Sequence, residues 1–481
     1  MQNDKNLTLE YSYTSLPSLF YQFAKPAPLR NPEIVLRNDA FMDAVNMPLN
    51  NDDAILSRFF NHEAEFNSFA QAYAGHQFGH FAKLGDGRAM MMGEYLTASN
   101  ERFDIQLKGS GRTAYSRNGD GKATLKAMLR EYLISETMHF LKIPTSRSLF
   151  VVKSGNWVQR EMQHEGAVLA RWMKSHIRIG TFEFARHFGS TADLQALANY
   201  TIQRLYPELE KDKNPVLSLL HKVMELQIHL VTDWMRVGFI HGVMNTDNSA
   251  ISAETFDYGP CAFMNVYDPE TVFSSIDSQG RYAFGNQPKI IKWNIARFAE
   301  ALLPILHQED EISLQIAQAA IDDFDALWYQ NYYETMGNKI GISVENSQLV
   351  ALVDELLKLM EKHQMDYTNT FLQLSELINS VDVLQLNIDF QQWIEKWKYA
   401  INNTNGTVDA EAKMKASNPV FIPRNHLVEQ ALEDAIHGDM KLYHQLLDVA
   451  SNPYEHRPDL EIFMTPSDSN FERQYQTFCG T

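Results

Sequence analysis

His241-Gly-Val-Met-Asn-Thr-Asp-Asn248, followed by Asp257-Tyr-Gly259, is the segment of this 481-residue chain that indicates the fold most directly. Mg²⁺ binds a few protein oxygens and fills the rest of its coordination shell with substrate phosphates. Protein kinases supply such oxygens from an Asn of the catalytic loop and from the Asp of an Asp-Phe-Gly motif. Asn248 and Asp257 have these residue types in this order. The segment therefore predicts a kinase-type loop that binds a metal ion and a nucleoside triphosphate.

The catalytic base of a protein kinase is missing from its usual position in this segment. A kinase carries that Asp two residues after the His of the loop, where this chain has Val243. The nearest acidic residue is Asp247, directly before Asn248, and we expect it to act as the base. The alternative is that Asp247 only caps a turn. We expect His241 to pack under the loop and to bond to backbone atoms.

The composition limits the compartment and the classes of partner. A formal net charge of −18 argues against nucleic acid or an anionic membrane as the main partner. No uninterrupted apolar run is long enough to span a bilayer, and residues 1–7 lack the basic and apolar regions of a secretory signal. Two cysteines in 481 residues exclude a disulfide scaffold and suit a reducing compartment, so we predict a cytoplasmic protein.

The order of predicted elements indicates an α+β, protein kinase-like bilobal fold. Strand patterns and one helix come first, and helical periodicity dominates from about residue 166. We predict strands at 90–96 and 103–108, a hairpin of 148–152 with 157–161, and helices at 124–141, 215–237, 314–328 and 348–363. The predicted domains are a small strand-rich N-lobe (1–165), a larger, mostly helical C-lobe (166–469) and a C-terminal tail (470–481).

Lys108 ends a predicted strand whose apolar residues alternate with polar ones, so it lies on the face opposite the apolar set. In a kinase, the corresponding lysine binds phosphates and is held by a carboxylate from the next helix. Glu131 and Glu136 are the acids available in that helix, and we expect Glu131 to be the partner. The alternative is a surface lysine beside a loop.

Two glycine-rich loops are candidates for binding phosphates. Leu84-Gly-Asp-Gly-Arg88 combines Gly85 and Gly87, which let backbone N–H groups approach a phosphate, with the forked donor of Arg88. The loop is no Walker A motif, and taken alone its sequence favours a simple hairpin turn. The second loop is Asn118-Gly-Asp-Gly121, which contains Asp120 and Gly121.

Arg171 and Arg178 are seven residues apart, so a helix would place both on one face. Paired guanidinium groups bind phosphate oxygens, but the spacing alone favours a solvated helix face. His76 and His80 have i, i+4 spacing without the Glu of a His-Glu-x-x-His motif, so we expect no zinc site there.

The cysteines are Cys261, close to Asp257, and Cys479, third from the C-terminus. Two unrelated free thiols are the default interpretation. The position of Cys261 beside the metal-ligand candidate makes the two cysteines a candidate redox pair.

Six motifs together resemble the selenoprotein O (SelO) family of kinase-fold protein adenylyltransferases, and the C-terminal Cys-Gly-Thr fits that family too. They are Tyr73-Ala-Gly-His-Gln-Phe-Gly79, Gln106-Leu-Lys-Gly-Ser-Gly-Arg-Thr113, Asn118-Gly-Asp-Gly121, His241–Asn248, Asp257-Tyr-Gly-Pro260 and Phe284-Gly-Asn-Gln-Pro288. The resemblance implies that ATP binds in the reverse orientation to that in kinases. AMP would then be transferred to Ser, Thr or Tyr hydroxyls of target proteins, and pyrophosphate would leave.

The resemblance also implies a role for each candidate residue. Asp247 would accept the proton, and Glu131 would orient Lys108. Asn248 and Asp257 would hold Mg²⁺, with Mn²⁺ as an alternative. The ATP-binding residues would be Gly85, Gly87, Arg88, Lys108, Asp120, Gly121, Arg171, Arg178 and Asp257. In the family, the position of Cys479 often holds selenocysteine. Members that have Cys there can pair that Cys with a Cys at the position of Cys261.

Three functions stay open on the sequence. The first is protein adenylylation, with uridylylation as a variant of the same chemistry. The second is a kinase-like phosphotransferase. The third is a pseudoenzyme scaffold that binds nucleotide without catalysis, which the missing base at Val243 motivates.

Overall fold

The computed structural model describes residues 7–61, 67–379, 387–403 and 406–478. Its first third is built on a sheet, and the rest is helical. The strands are β1 (Tyr21–Phe23), β2 (Glu33–Arg37), β3 (Phe69–Gln71), β4 (Ala74–Gln77), β5 (His80–Lys83), β6 (Ala89–Leu96), β7 (Arg102–Lys108), β8 (Ala123–Thr124), β9 (Arg147–Gln159), β10 (Gln163–Met173), β11 (Phe239–Ile240) and β12 (Ala262–Phe263).

The first helices of the chain lie before residue 240. They are α1 (Asp39–Ala44), α2 (Asp52–Phe60), α3 (Leu125–Phe140), α4 (Ile179–Phe188), α5 (Thr191–Leu205) and α6 (Pro215–Arg236). The remaining helices are α7 (Gln287–Leu306), α8 (Asp310–Asp322), α9 (Phe324–Ile340), α10 (Leu349–Lys362), α11 (Tyr367–Leu377), α12 (Ile388–Asn402), α13 (Gly406–Ser417), α14 (Asn425–Ile436), α15 (Lys441–Ser451) and α16 (Ser469–Gln474).

The main sheet has the strand order β1-β3-β6-β7-β10-β9-β2, and β8 pairs with β10. Two small antiparallel pairs lie outside it: β4 with β5, and β11 with β12. Helix α3 packs on the sheet, and the C-terminal helices α14 and α15 pack on α3 through a shared apolar cluster that includes Leu129, Leu432 and Tyr443. The α+β class predicted from the sequence is confirmed, as is the predicted order of a strand-rich first part followed by a mostly helical remainder.

Several predicted elements match the structure closely. They are the strands at 90–96 and 103–108 and the helices at 124–141, 215–237 and 348–363. Helix α3 begins where the Thr124 hydroxyl caps it by accepting from the N–H of Ala127. Helix α6 begins at Pro215 after Asn214, whose side chain caps the N–H of Leu217.

Two predicted elements were wrong in detail. The hairpin does not turn at Ser154-Gly-Asn156, because β9 runs through that tripeptide and reverses at Arg160–Met162 instead. Gly155 has a φ of +64° there, where the register with β10 is irregular, so the glycine serves a bulge. The helix predicted at 314–328 is interrupted at Asp323, which separates α8 from α9.

The predicted boundary between residues 165 and 166 falls inside β10. The division into lobes at that point stays a prediction. None of the helices in the described part of the chain is both long and apolar enough to cross a membrane.

Candidate active site

Lys108 and Arg171 are brought together by the pairing of β7 with β10. In this antiparallel register Lys108 lies opposite Leu169, and Gln106 lies opposite Arg171. Because alternate residues of a strand share a face, Lys108, Gln106 and Arg171 project from the same side of the sheet. The Arg171 guanidinium also donates to the Gln106 amide oxygen over 3.3 Å. Both cations are buried, with 5% and 4% of their side chains exposed.

Helix α3 places Glu131 against these two cations. Lys108 Nζ lies 2.7 Å from Glu131 Oε2, and Arg171 forms an ion pair with the other carboxylate oxygen. Glu136, one and a half turns further along α3, instead accepts from Arg147 Nε over 2.9 Å. The structure thus pairs Lys108 with Glu131, the partner expected from the sequence.

Asp257 completes the charged cluster from the opposite side. Its carboxylate contacts Lys108 and lies 2.9 Å from Arg171 Nη2. Burial alone would raise the pKa of this carboxyl, but Lys108 and Arg171 outweigh burial and hold the pKa well below its usual range. Asp257 has a φ of +67°, a left-handed conformation that is uncommon outside glycine and asparagine. The side chain is 29% exposed, so this charged carboxylate remains accessible from the cleft.

Asp247 lies on a short 3₁₀ turn, Thr246–Asn248, and is buried. Its Oδ1 accepts no hydrogen bond from any residue that the structure describes. Burial raises the pKa of this carboxyl to about 6, although nearby Arg178 lowers it. A buried acceptor without a donor is unusual in a native structure and indicates a ligand site.

Asn248 and His241 are held by backbone contacts of the same loop. The Asn248 amide nitrogen donates to the Val243 carbonyl over 3.0 Å, which leaves the amide oxygen as a candidate metal ligand. His241 is buried, its Nε2 lies 3.3 Å from the Phe256 carbonyl, and its ring packs on Trp234. The structural role expected for His241 agrees with these contacts.

Arg178 is not on a helix face, so the interpretation based on spacing was wrong. The residue precedes α4, and Arg171 lies on β10, a strand whose last residues are buried. Arg178 donates to the Asp247 carbonyl over 3.1 Å. Its guanidinium carbon lies 4.1 Å from the centre of the Tyr73 ring. Arg178 is therefore a buried cation that contacts the backbone of Asp247, the candidate base.

The β4–β5 hairpin covers the loop that carries Asp247. The N–H of His76 donates to Thr246 Oγ1 over 2.8 Å, and the N–H of Phe78 donates to Asn245 Oδ1 over 3.0 Å. Gly75 has no room for a side chain, because an added Cβ would lie 2.9 Å from Asp247 Cγ. The hairpin and the loop thus form one packed unit.

Glu183 of α4 links the loop to the hairpin through Thr246 and His76, and no pattern in the sequence predicted this role. One carboxylate oxygen accepts from the Thr246 hydroxyl, and the other contacts His76 Nδ1. Burial raises the pKa of Glu183 to about 7. A single acid in helical sequence gives no signal of such a role, since its partners are 63 and 107 residues away.

The first glycine-rich loop packs beside the end of β7 that carries Lys108. Gly85 has a φ of +143° and lies against the Tyr115 ring, and the N–H of Gly109 donates to the Arg88 carbonyl over 2.7 Å. Gly87 is close to the backbone of the Tyr115 segment, so a Cβ there would meet the Tyr115 carbonyl at 3.0 Å. This packing holds Arg88 next to the strand end.

Asp120 and Gly121 have structural contacts of their own. Both Asp120 oxygens accept from the Arg160 guanidinium, over 3.0 and 3.2 Å. Gly121 has a φ of +71°, and its carbonyl accepts from the N–H of Gly111 over 3.0 Å. The loop is thereby tied to the tip of the β9–β10 hairpin.

A cavity of about 780 Å³ opens onto the charged cluster. Arg88, Lys108 and Glu131 form one end of it, and Met128 and Tyr258 provide apolar wall. The opposite wall is the C-terminal segment, residues 471 and 474–478. Its size suits a ligand of several hundred daltons with an anionic end.

The C-terminal segment is anchored at Thr477 to Pro260, the residue before Cys261. Thr477 Oγ1 donates to the Pro260 carbonyl over 2.7 Å, and the N–H of Thr477 donates to the Phe273 carbonyl over 2.8 Å. Cys261 is a buried free thiol, and burial raises its pKa to about 11. Cys479 lies outside the described residues.

A profile of the family described as "Protein adenylyltransferase SelO" matches residues 4–451. Among curated relatives, the "Protein nucleotidyltransferase YdiU" of Brevibacillus brevis is 49% identical and covers 99% of this chain and 100% of its own length. The protein of the same name from Alkaliphilus metalliredigens is 50% identical over 98% of this chain and 97% of its own. The one from Pelagibacter ubique is 48% identical over 98% of both chains.

A search of solved structures found a Toxoplasma gondii protein, ROP2, described as a virulence factor with a protein-kinase fold and no enzymatic activity. The match has 10% sequence identity and covers 75% of this chain and 95% of the other. Its TM-score of 0.24 is too low to support a conclusion.

Proposed function

This chain belongs to the SelO family of protein adenylyltransferases, and from that premise we propose that it transfers AMP from ATP to Ser, Thr or Tyr hydroxyls of target proteins, with release of pyrophosphate. The observation that carries the proposal is the buried cluster of Lys108, Arg171, Glu131 and Asp257, of which Lys108 and Glu131, with Arg88, line a cavity large enough for a nucleotide. Two cations at the end of a partly apolar cavity suit a ligand with a phosphate chain and a base.

We propose that Lys108, Arg171 and Arg88 bind the phosphates. All three cations are near Asp257, and each of them lowers its pKa. Arg178, the residue directly before α4, would add a further guanidinium. Gly85, Gly87, Asp120 and Gly121 would shape the loops beside the nucleotide, since their packing leaves no space for side chains at three of these positions. Charge that develops on the departing pyrophosphate would be stabilised by these fixed cations.

Asn248 and Asp257 are the residues that would hold Mg²⁺, with Mn²⁺ as the alternative. In the described ranges no group of three or more His, Cys, Asp or Glu side chains converges as a metal site. Mg²⁺ is usually held by a few protein oxygens together with the phosphates of its substrate. A bound divalent ion would neutralise phosphate charge during transfer.

Asp247 is proposed to accept the proton of the target hydroxyl. Its Oδ1 accepts no hydrogen bond from the described residues and lies buried against Gly75, so the carboxylate keeps an unused acceptor. The Glu183–Thr246 contact and the β4–β5 hairpin would keep the carboxylate in position. General base catalysis of this kind contributes typically about 10²–10⁴-fold to a rate.

Cys261 and Cys479 are proposed as a redox pair. The anchored position of Thr477 beside Pro260 supports the pairing, because only one residue separates Thr477 from Cys479 along the chain. We also propose a cytoplasmic location, which the two-cysteine composition supports, and a strand-rich N-lobe, helical C-lobe and tail divided as predicted from the sequence.

Incubation with ATP labelled at the α-phosphate in one sample and at the γ-phosphate in another tests the proposal. We expect the target protein to retain label from the α position alone. Label from the γ position alone would identify a phosphotransferase and overturn the proposal. Label from neither position, with nucleotide still bound, would identify a non-catalytic nucleotide-binding protein.

A further inference from the structure

A continuous aromatic surface lies beside the loop that carries Asp247. The Phe81 and Phe188 rings lie 6.3 Å apart and nearly parallel, and they are 38% and 46% exposed. The His76 ring contacts Phe81 on one side and Trp293 of α7 on the other, with centroids 5.2 and 5.1 Å apart. His187 also packs on Phe81. We call these five residues the aromatic face.

Two cations flank the aromatic face without forming an ion pair with any carboxylate in residues 7–61, 67–379, 387–403 and 406–478. Lys83 Nζ lies 4.7 Å from the centre of the Phe188 ring, and Arg281 Cζ lies 4.9 Å from the centre of the Trp293 ring. Cation–π contacts of this kind fix the position of a cation and leave its outer side free to bind an anion. Arg297 also lies over Trp293, but it is already paired with Glu300.

The aromatic face belongs to the same packed unit as the candidate base. His76 and Phe81 stand on the β4–β5 hairpin, which is hydrogen-bonded to the loop through Thr246 and Asn245. A chain lying across the face would therefore contact the hairpin that packs against Asp247 through Gly75. That is where the residue with the acceptor hydroxyl must be placed, if Asp247 is the base.

The charge of the protein decides which occupant suits this surface. The whole chain carries −18, so an acidic segment is repelled by most of the molecule. Lys83 and Arg281 make the aromatic face an exception, next to the reacting centre. We propose that the aromatic face, with Lys83 and Arg281, binds an acidic segment of the target protein beside its acceptor hydroxyl. This inference rests on the proposed function and extends it to the class of target.

Binding of unreactive peptides tests the surface separately from the reaction. Two fluorescent peptides of equal length have Ala at the acceptor position; Glu flanks the Ala in one peptide, and Lys flanks it in the other. We expect the protein to bind the Glu peptide at least about tenfold more tightly in fluorescence anisotropy at low salt. The double variant Lys83→Glu/Arg281→Glu should lose this preference. The neutral variant Lys83→Gln/Arg281→Gln should weaken it while adding no repulsion.

Lys441→Glu is the matched control, since Lys441 is an exposed lysine of α15, which packs on α3 and α14. It should leave the preference unchanged. Equal binding of both peptides by the unmodified protein would overturn the inference. So would a preference that survives in both double variants while their thermal unfolding is normal, or one that Lys441→Glu removes as strongly.

A transfer assay separates failure of this inference from failure of the proposed function. Peptides with Tyr in place of the Ala are incubated with α-labelled ATP. We expect the double charge reversal to raise KM for the Glu peptide about tenfold with little change in kcat. If the Glu peptide binds selectively but takes up no label, the surface stands and the proposed reaction fails. Binding to the face by nucleic acid or by a second copy of the chain, with no peptide preference, would reject the acidic peptide as its occupant.

Discussion

Replacing Glu131 by Gln tests how the charged cluster supports the reaction. The substitution keeps the shape of the side chain but removes the negative charge that faces both Lys108 and Arg171. Lys108 and Glu131 are only 5% and 3% exposed, so water cannot reach the cations to compensate for the lost carboxylate. Breaking a buried ion pair from one side costs about 3–5 kcal/mol. Gln still offers one acceptor, so we expect a loss of unfolding free energy of about 3 kcal/mol, measured by denaturant titration.

The rate of transfer should fall even where the Glu131→Gln variant is fully folded. Without Glu131, Lys108 is drawn towards Asp257 alone, and a misplacement of about 1 Å at a reacting centre costs on the order of 100-fold in rate. We therefore expect kcat for transfer of α-labelled AMP to fall roughly 100-fold at temperatures where the variant is folded.

Glu136→Gln is the control for this experiment. Glu136 is also a buried acid of α3, 5% exposed, but its ion pair is with Arg147, away from the cavity. This variant should lose a similar amount of stability and keep its transfer rate. Equal rates in the two variants, or a normal rate in Glu131→Gln, would refute the assignment of the cluster to phosphate binding.

Three further predictions concern the hairpin, Glu183 and the cysteines. Gly75→Ala forces a methyl group against Asp247, so transfer should drop while nucleotide binding persists, as measured by calorimetry; normal transfer would show that Asp247 has no fixed position. The pKa of Glu183 in the folded state is about 7, above its ordinary value of 4.5. The wild type should therefore lose unfolding free energy relative to Glu183→Gln as pH rises from about 4.5 to 7, by at most about 3 kcal/mol. A difference between the two proteins that stays constant across that range would contradict the raised pKa. Intact mass under oxidising, non-reducing conditions should show the loss of two hydrogens, and an unchanged loss in Cys261→Ser would reject the Cys261–Cys479 pair.

Local patterns predicted the parts of this site that depend on neighbouring residues. Lys108 stands at the end of an alternating strand, and Glu131 stands in the next helix, so their pairing follows from the order of elements. Asn248 and Asp257 were recognisable from their spacing within one short segment. The α+β class followed in the same way from periodicity along the chain.

Contacts between distant segments could not be predicted. Arg171 was expected on a helix face because of its seven-residue spacing to Arg178. The continuous run of buried residues in β10 has no alternation that would distinguish a strand from a helix. Glu183 and His76 contact Thr246 although they are 63 and 170 residues away from it, so no spacing in the sequence predicts these contacts. The aromatic face likewise combines the β4–β5 hairpin with the end of α4 and with Trp293 in the first half of α7.

Product mass is the most direct test of the central claim that this cleft delivers the α-phosphorus of ATP to a protein hydroxyl. A target peptide is incubated with ATP and a divalent cation, and its mass is measured before and after the reaction. We predict a gain of one adenylyl group per modified peptide, accompanied by pyrophosphate in equal amount and abolished by Asp247→Asn. A gain of a single phosphoryl group, accompanied by ADP, would contradict the account.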